Sequence, residues 1–282
     1  MHYSKDMLNI IQMGKGDKLY HYTTSDALIN IVINKEFWTT KWDYLNDIDE
    51  LKVAEEVCEA ILIEENIDFN IINAIKKELY KIIHENIQYF ILSLSCDEDS
   101  QLLWSNYADF NGINLEVDFA KFEERLTNII RWHGLVNYNL ESQKKCMRKT
   151  FYDELINIED FGNIKSLKDI NTLNVKEYNK VVTHISIICA LYSMFFKRES
   201  FKGEHEYRFV FTNLKENEIN FRSKHGLIIP YIKNNVKDLD FINKITIGPI
   251  NKFDIAENGI KELLHHNNIN IDISKSEIPL RF

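Results

Sequence analysis

The segment FKGEHEYRFVF, residues 201–211, places two carboxylates and a guanidinium group at alternate positions. If the segment is a strand, Glu204, Glu206 and Arg208 share one face, about 7 Å from one alternate residue to the next. A carboxylate held in a cleft can be catalytic while a second one tunes its pKa or fixes the substrate. The same charges could instead form a solvated strand face, on which Arg208 partly neutralises the glutamates at little gain in stability.

Two serines form a second group of candidate residues. In the predicted strand FILSLS, Ser93 and Ser95 share one face and the apolar residues take the other. Buried hydroxyls need hydrogen-bond partners. The two serines are therefore either a polar floor that orients a ligand or edge residues whose hydroxyls bond to the main chain.

A histidine ends the predicted strand KLYHY, just before a helix. The free N–H groups at a helix N-terminus suit phosphate or another anion. His21 and Tyr22 point to opposite faces of the strand, so at most one of them enters a given pocket directly. A single histidine here can equally be a hydrogen-bonded structural residue.

Trp104 and Tyr107 lie three residues apart on the predicted helix QLLWSNYA and so share a face. A pair with this spacing usually packs in a core. The alternative is a wall that stacks on a planar ring of a ligand.

The segment YLNDIDE supplies polar and acidic groups at the start of a helix, where the helix dipole alone favours them. They are Asn46, Asp47, Asp49 and Glu50. The sequence has no HExxH, Walker A, GxGxxG or GxSxG pattern. We therefore expect no metal site.

Composition limits the possible partners. The chain has 282 residues, a net charge of -9 and a pI of about 5.5, so it carries no global charge signature for nucleic acid or anionic membrane. The N-terminus does not resemble a signal peptide, and the longest apolar run, residues 185–196, is too short to span a bilayer. The four cysteines are widely spaced, which favours reduced thiols and a cytoplasmic protein.

The elements predict an α+β fold with a mainly antiparallel sheet and flanking helices. Strands are predicted at KLYHYTT, FWTT, QYFILSLS, INLEVDF, EYRFVFTN, GLIIPYI, ITIGPI and INIDIS. No Gly/Ser or Pro tract marks a linker, so residues 1–282 are predicted to form one domain with helical insertions at about 50–87 and 121–197. In the second insertion we expect a strand around GLVNYN and a long buried helix over residues 174–197.

Six separated segments, in order, resemble an uncharacterised bacterial family of unknown function. They are LYHYTT, LND..E, SLSCDED...LWSNYA...GINLEVDF, FKGEHEYRFVF, ITIGP and S.IPLR, and they extend from about residue 19 to residue 281. That resemblance implies no activity.

A more distant resemblance is to the ADP-ribosyltransferase fold. HYT at 21–23 is similar to its first motif, as found in DNA-modifying toxins of that fold; SLS at 93–95 is similar to the second and EHE at 204–206 to the third. The middle of the second motif is Leu94 where a threonine is typical, and no arginine leads the first motif. The resemblance implies an ADP-ribosyltransferase-like core.

The resemblance also implies catalytic roles. Cleavage of the glycosidic bond of NAD passes through an oxocarbenium-like state, which a fixed carboxylate stabilises. Glu206 would be that carboxylate, Glu204 would orient the acceptor, His21 would bond to the adenosine-side ribose, and Ser93 would support Glu206.

The remaining implied residues bind NAD. Trp104 or Tyr107 would stack on nicotinamide, and Arg208 would set the charge state or bind pyrophosphate. The full implied set is Tyr22, Thr23, Ser93, Ser95, Trp104, Tyr107 and Arg208.

The functional hypothesis is thus an ADP-ribosyltransferase or NAD glycohydrolase with NAD as substrate and no metal, acting as a toxin or in phage defence. Its acceptor could be a protein, nucleic acid, small molecule or water. One alternative is a non-catalytic module that binds a nucleotide or a protein. Another is a metal-dependent nuclease or phosphoesterase that uses Asp47, Glu50, Glu204 and Glu206.

Overall fold

The structure is a computed structural model. It describes residues 7–45, 50–86, 88–156, 158–162, 164–213, 218–224 and 226–280. Within these ranges helices and strands are interspersed along the chain, with four successive strands near its end.

Eight α-helices are described, several of them with capped N-termini. They are α1 (Ser25–Asn34), α2 (Glu50–Glu64), α3 (Phe69–Lys81), α4 (Gln101–Tyr107), α5 (Phe119–Leu126), α6 (Leu140–Leu155), α7 (Val175–Tyr192) and α8 (Phe253–His266). Helix α1 begins where the Thr24 side chain accepts a hydrogen bond from the Ala27 N–H. It ends at Lys35, whose φ of 56° stops the helical path.

Ten strands of the described chain form one sheet. They are β1 (Lys18–Thr23), β2 (Glu36–Lys41), β3 (Gln88–Ser95), β4 (Ile113–Asp118), β5 (Ile130–Leu135), β6 (Glu206–Asn213), β7 (Asn220–Lys224), β8 (Leu227–Asn235), β9 (Ile242–Ile247) and β10 (Asp272–Lys275). The main order is β10-β9-β4-β1-β3-β2-β8-β7, and β6 joins β3 to β5. Of the described pairings, that of β9 with β10 is parallel and the others are antiparallel, which confirms the predicted sheet type.

The sheet has a core on each face because most of its strands are apolar on both sides. Helices α2, α3, α6 and α7 bury one cluster against residues such as Ile91 and Val210. Helices α1, α5 and α8 bury a second cluster against Leu92, Tyr207 and their neighbours. Strand β3 contributes alternate residues to the two clusters, as its period of two requires.

The sheet is split beside β3, and this split positions the candidate site. One edge of β3 pairs with β6 over its full length. On the other edge, Ser95 pairs with Tyr20 of β1, whereas Phe90 and Ile91 pair with β2. The intervening residues 92–94 have no partner in β1 or β2, so a cleft opens between those two strands.

Several boundaries differ from the predictions. The strand expected at GLVNYN lies earlier, as β5, so the insertion at 121–197 is not purely helical. The helix expected to reach residue 197 ends at Tyr192, because the chain turns before the strand-like pairing of Phe196 with Asn137. Strand β7 was missed, since its sequence NFRSK lacks apolar alternation. Whether residues 1–282 form one domain stays a prediction, as does the ADP-ribosyltransferase-like core.

None of the helices in the described ranges combines the length and apolar character needed to cross a membrane. All four cysteines are free thiols.

Candidate functional site

The two glutamates of the EHE segment reach one site by different routes. Glu206 opens β6, whereas Glu204 ends a 3₁₀-helix over Glu199–Glu204. The prediction of one strand through both is therefore wrong. His205 between them has a φ of 40°, an unusual value for a residue other than glycine, and this kink turns the chain from helix to strand.

A buried lysine joins the two carboxylates. Lys197 Nζ lies 2.6 Å from Glu204 Oε2 and 3.3 Å from Glu206 Oε2. Arg208 donates to both oxygens of Glu206, from Nε at 2.7 Å and from Nη2 at 3.0 Å. We call Lys197, Glu204, Glu206 and Arg208 the ion network.

The ion network is removed from solvent. Glu204 and Glu206 are only 4% and 6% exposed, and Arg208 is fully buried. The alternative of a solvated strand face is therefore wrong. Two anions and two cations balance formally, which is the usual condition for burying charge.

Glu206 stays ionised in this environment. Burial alone would raise the pKa of its carboxyl group, but the charges of Arg208 and Lys197, with hydrogen bonds from Arg208 and Ser93, lower it to about 2. At neutral pH the carboxyl group of Glu206 is therefore ionised, which suits stabilisation of a positive charge.

Neighbouring hydroxyls hold the ion network in place. The Tyr107 hydroxyl donates to Glu204 Oε1 at 2.7 Å, and burial, with the Glu204 charge, raises the pKa of Tyr107. Ser95 donates to the Glu204 carbonyl at 2.7 Å, so its hydroxyl bonds to the main chain, as one of the two interpretations held. Tyr138 accepts from the Glu206 N–H at 3.0 Å.

The ion network borders a cleft of about 510 Å³, which lies at the split beside β3. Residues from all three predicted motifs line it: His21, Tyr22, Thr23, Ser93, Ser95, Glu204 and Glu206. Tyr107 and Arg208 line it as well. The roles assigned to these residues stay predictions, but the chain does bring them to one hollow.

His21 reaches this cleft from the opposite sheet face. Paired residues of an antiparallel ladder point to the same side, so the pairing of Tyr20 with Ser95, and of Ser95 with Glu206, puts Tyr20 on the face of Glu206. His21 therefore faces the other way, with its ring 5.7 Å from that of Phe37. His21 and Glu206 thus line the same cleft from opposite faces of the sheet.

The surroundings of the His21 ring include the main chain of Ser93. Burial lowers the pKa of the ring to about 4, although a hydrogen bond to the Ser93 main chain acts in the other direction. At neutral pH the ring is thus uncharged. These surroundings favour the structural role that the sequence left open, and the catalytic role of His21 stays a prediction.

Comparison with known proteins gives one match. Residues 103–209 match the family model described as Protein of unknown function (DUF2971). This similarity covers 107 of the 282 residues. No curated protein and no solved structure matches it.

The DUF2971 match, which runs from α4 to β6, contains the whole ion network and Tyr107. His21, Ser93 and strand β7 lie outside the matched residues. The cleft is therefore built partly from the DUF2971 residues and partly from strands before and after them.

The structure bears on two predicted ligand contacts of the matched residues, and the one assigned to Trp104 is wrong. Trp104 is fully buried and does not line the cleft; its ring packs on Tyr22, and its Nε1 donates to Asp99 at 2.6 Å. It is a core residue and cannot stack on a ligand. Arg208 has Nε and Nη2 on Glu206 and Nη1 on the Met194 carbonyl, which favours its predicted role in setting the charge state over the alternative of binding pyrophosphate.

The Tyr22 hydroxyl also forms its hydrogen bonds within the protein. Its hydroxyl donates to the Asp97 carbonyl and accepts from the Ser100 N–H, each at 2.9 Å. Thr23 is almost buried at the edge of the cleft. Tyr22 therefore fixes the start of α4, and a ligand could contact only the part of it that faces the cleft.

The metal alternative has no support among the described residues, which include no cluster of three potential ligands. Asn46, Asp47 and Asp49, and the side chain of Glu50, lie outside what the structure describes. Glu204 and Glu206 have Lys197 and Arg208 as partners in place of an ion.

Sequence reasoning missed two cations of the site. Lys197 directly follows the apolar run that ends at Phe196, and a charge at the end of such a run is the signal that could have found it. Arg222 lies on β7, the strand that was missed, and it lines the cleft with Trp38 and Thr40. No pattern in NFRSK indicates that role.

Proposed function

We propose that the cleft binds NAD and that Glu206 stabilises the positive charge that develops on the ribose as the bond to nicotinamide breaks. The protein would then be an ADP-ribosyltransferase or an NAD glycohydrolase. The observation that carries this proposal is a carboxylate that stays ionised on the wall of a 510 Å³ cleft, within hydrogen-bond reach of Ser93.

The chemistry follows from the charge state. An oxocarbenium-like transition state needs a preorganised anion, and a carboxylate with a pKa of about 2 supplies one throughout the physiological range. Lys197 and Arg208 hold its position, so it loses little freedom when a ligand binds. The nicotinamide leaves with the bonding electron pair, and an acceptor nucleophile or water forms the new bond to the ribose carbon and gives up a proton to solvent.

A non-catalytic nucleotide-binding module is the second candidate, and one observation favours it. Both oxygens of Glu206 already accept hydrogen bonds from Arg208, and Lys197 contacts one of them. In that case the ion network is structural, and the cleft would bind a ligand without turning it over.

The experiment is incubation with NAD that carries a label in nicotinamide, followed by chromatography of the released base. We expect wild-type protein to release nicotinamide and Glu206→Gln to do so about 10²–10³-fold more slowly, the cost typical of losing a charge-stabilising group. Glu199→Gln is the matched control, because Glu199 is an exposed carboxylate on the preceding 3₁₀-helix.

Two further results separate the candidates. Ser93→Ala removes the hydroxyl that helps to lower the pKa of Glu206 and leaves the ion pairs in place, so it tests the site even if Glu206→Gln is unstable. We expect it to lower the rate by a smaller factor. Wild-type protein that binds NAD but releases no nicotinamide, with or without added acceptors, would contradict the catalytic proposal and favour the binding module.

The expected effect on a bacterial cell follows from the proposed activity. Depletion of NAD or modification of a cellular target would harm a bacterial cell, which is the basis for a toxin or a phage-defence effector. Expression of the wild type should then arrest growth, and expression of Glu206→Gln should not.

A further inference from the structure

The second arginine of the cleft differs from Arg208 in its surroundings. Arg222 Nη2 donates to Thr40 Oγ1 at 2.7 Å, and its guanidinium carbon lies 5.5 Å from the ring centroid of Tyr231 and 6.0 Å from that of Trp38. Those two rings stack at 4.5 Å. An aromatic pair and one hydroxyl thus hold the guanidinium in place.

Arg222 has no anion of its own among the described residues. None of their carboxylates lies within 4.0 Å of its nitrogens, and its Nε is buried without a hydrogen-bond partner. Burial lowers the pKa of Arg222, which reflects the cost of partly desolvating an unpaired charge.

The carboxylates that line the cleft do not form an ion pair with the Arg222 guanidinium. Glu36 lies 3.5 Å from Lys233, and Glu204 and Glu206 belong to the ion network. Asp26 lies in the first turn of α1 and does not approach Arg222 within ion-pair distance. Lys224, two residues after Arg222 and on the same strand face, adds a second positive charge to the lining.

The pairing register puts Arg222 and Glu206 on one sheet face. Arg222 of β7 is paired with Ile229 of β8 and so lies on the same face as Tyr231, two residues further along β8. Tyr231 is paired with Thr40 of β2, and Thr40 is paired with Ile91 of β3. Ile91 and Ser93 share a face, and Ser93 is opposite Arg208. The cleft therefore offers an unpaired guanidinium and a fixed carboxylate on the same side.

We propose that Arg222 is the anion-binding residue of the cleft and takes the phosphate or pyrophosphate group of a nucleotide-type ligand whose sugar lies at Glu206. Guanidinium groups bind phosphate oxygens in a planar, two-pronged geometry, and an Arg that is already oriented loses little entropy in doing so. This proposal deepens the proposed function and rests on the same cleft being the ligand site.

Binding measured by calorimetry tests the proposal without any turnover. The probes are ADP-ribose, pyrophosphate, inorganic phosphate and adenosine, each titrated into wild type, Arg222→Gln and Arg222→Lys. Arg131→Gln is the matched control, because Arg131 also lies over a tryptophan, 4.8 Å from the ring of Trp132, and does not line the cleft.

We expect Arg222→Gln to weaken ADP-ribose about 10- to 100-fold, the loss typical of a hydrogen-bonded charge. Arg222→Lys should retain part of the affinity, and Arg131→Gln all of it. Adenosine should bind weakly and equally to every variant. Pyrophosphate should bind more weakly than ADP-ribose and with the same dependence on Arg222.

Three results would overturn the proposal: equal ADP-ribose affinity in wild type and Arg222→Gln, no anion binding to wild type at millimolar probe, or phosphate binding as tightly as ADP-ribose. The outcome is separable from that of the proposed function. Arg222-dependent ADP-ribose binding without nicotinamide release supports the anion site alone. Glu206-dependent release with unchanged affinity in Arg222→Gln supports the reaction and overturns this proposal.

Discussion

Arg208 and Arg222 line the same cleft on the same sheet face, but only Arg208 has a carboxylate partner within the described chain. Arg208 is fully buried and forms two hydrogen bonds to Glu206, and a third donor reaches a main-chain carbonyl. Arg222 contacts aromatic rings and one hydroxyl. The difference teaches that a buried cation whose anion comes from the protein is structural, whereas a cation without such an anion is a candidate for binding a ligand.

The largest expected effect is the loss of the Arg208 partner. Arg208→Met leaves Glu206 buried with Lys197 alone, and breaking a buried pair typically costs about 3–5 kcal/mol of unfolding free energy. Chemical denaturation measures it. Arg198→Met is the control: Arg198 pairs with Glu56 where both side chains are 44% or more exposed, so its cost should stay below about 1 kcal/mol. Equal losses of unfolding free energy in the two variants would contradict the structural role of Arg208.

Tyr107→Phe should have the next largest effect. It removes the hydroxyl that donates to Glu204 and leaves a buried carboxylate oxygen one bond short, at a cost of about 1.5–3 kcal/mol. Tyr152→Phe, on the exposed surface of α6, should change the unfolding free energy by less than about 0.5 kcal/mol. If both substitutions are neutral, the ion network does not depend on Tyr107.

Acid should destabilise the fold through His21. The folded pKa of about 4 lies below the ordinary value of 6.5, so between these values the unfolded chain binds more protons. Unfolding free energy should therefore fall as the pH drops from 6.5 to 4, by on the order of 2 kcal/mol from this group. His21→Gln should flatten that part of the curve. An unchanged slope in the variant would show that the ring is not held neutral.

Arg222→Met should have the smallest effect on stability. The lost bond to Thr40 and the lost ring contacts are offset by removal of an unpaired, partly desolvated charge, so we expect a change within about 1 kcal/mol. Thermal unfolding with ADP-ribose sharpens the test: at a given ligand concentration the Tm of wild type should rise more than that of the variant. A cost near that of Arg208→Met would mean that Arg222 is structural too.

The sheet could be predicted because its strands carry alternating apolar residues. QYFILSLS and EYRFVFTN are strands with the predicted bounds, since both contribute to the cores on the two faces. NFRSK has one large apolar side chain, and that side chain is exposed, so neither alternation nor burial marked β7. Pairing with β8 alone makes it a strand.

The site was predictable only in part. EHE and SLS come together because β3 and β6 pair along their full length. A pattern of residue types and their spacing can suggest that two such motifs meet. The kink at His205, the link through Lys197 and the face of His21 depend on register and tertiary contacts. Register fixes which residues share a face, and a single sequence does not determine it.

The measurement that tests the account most directly is the steady-state rate of nicotinamide release from NAD by wild type, Glu206→Gln and Arg222→Gln. The account predicts that Glu206→Gln lowers kcat by about 10²–10³-fold, whereas Arg222→Gln chiefly raises KM. No release by the wild type, or release that both substitutions leave unchanged, would contradict it.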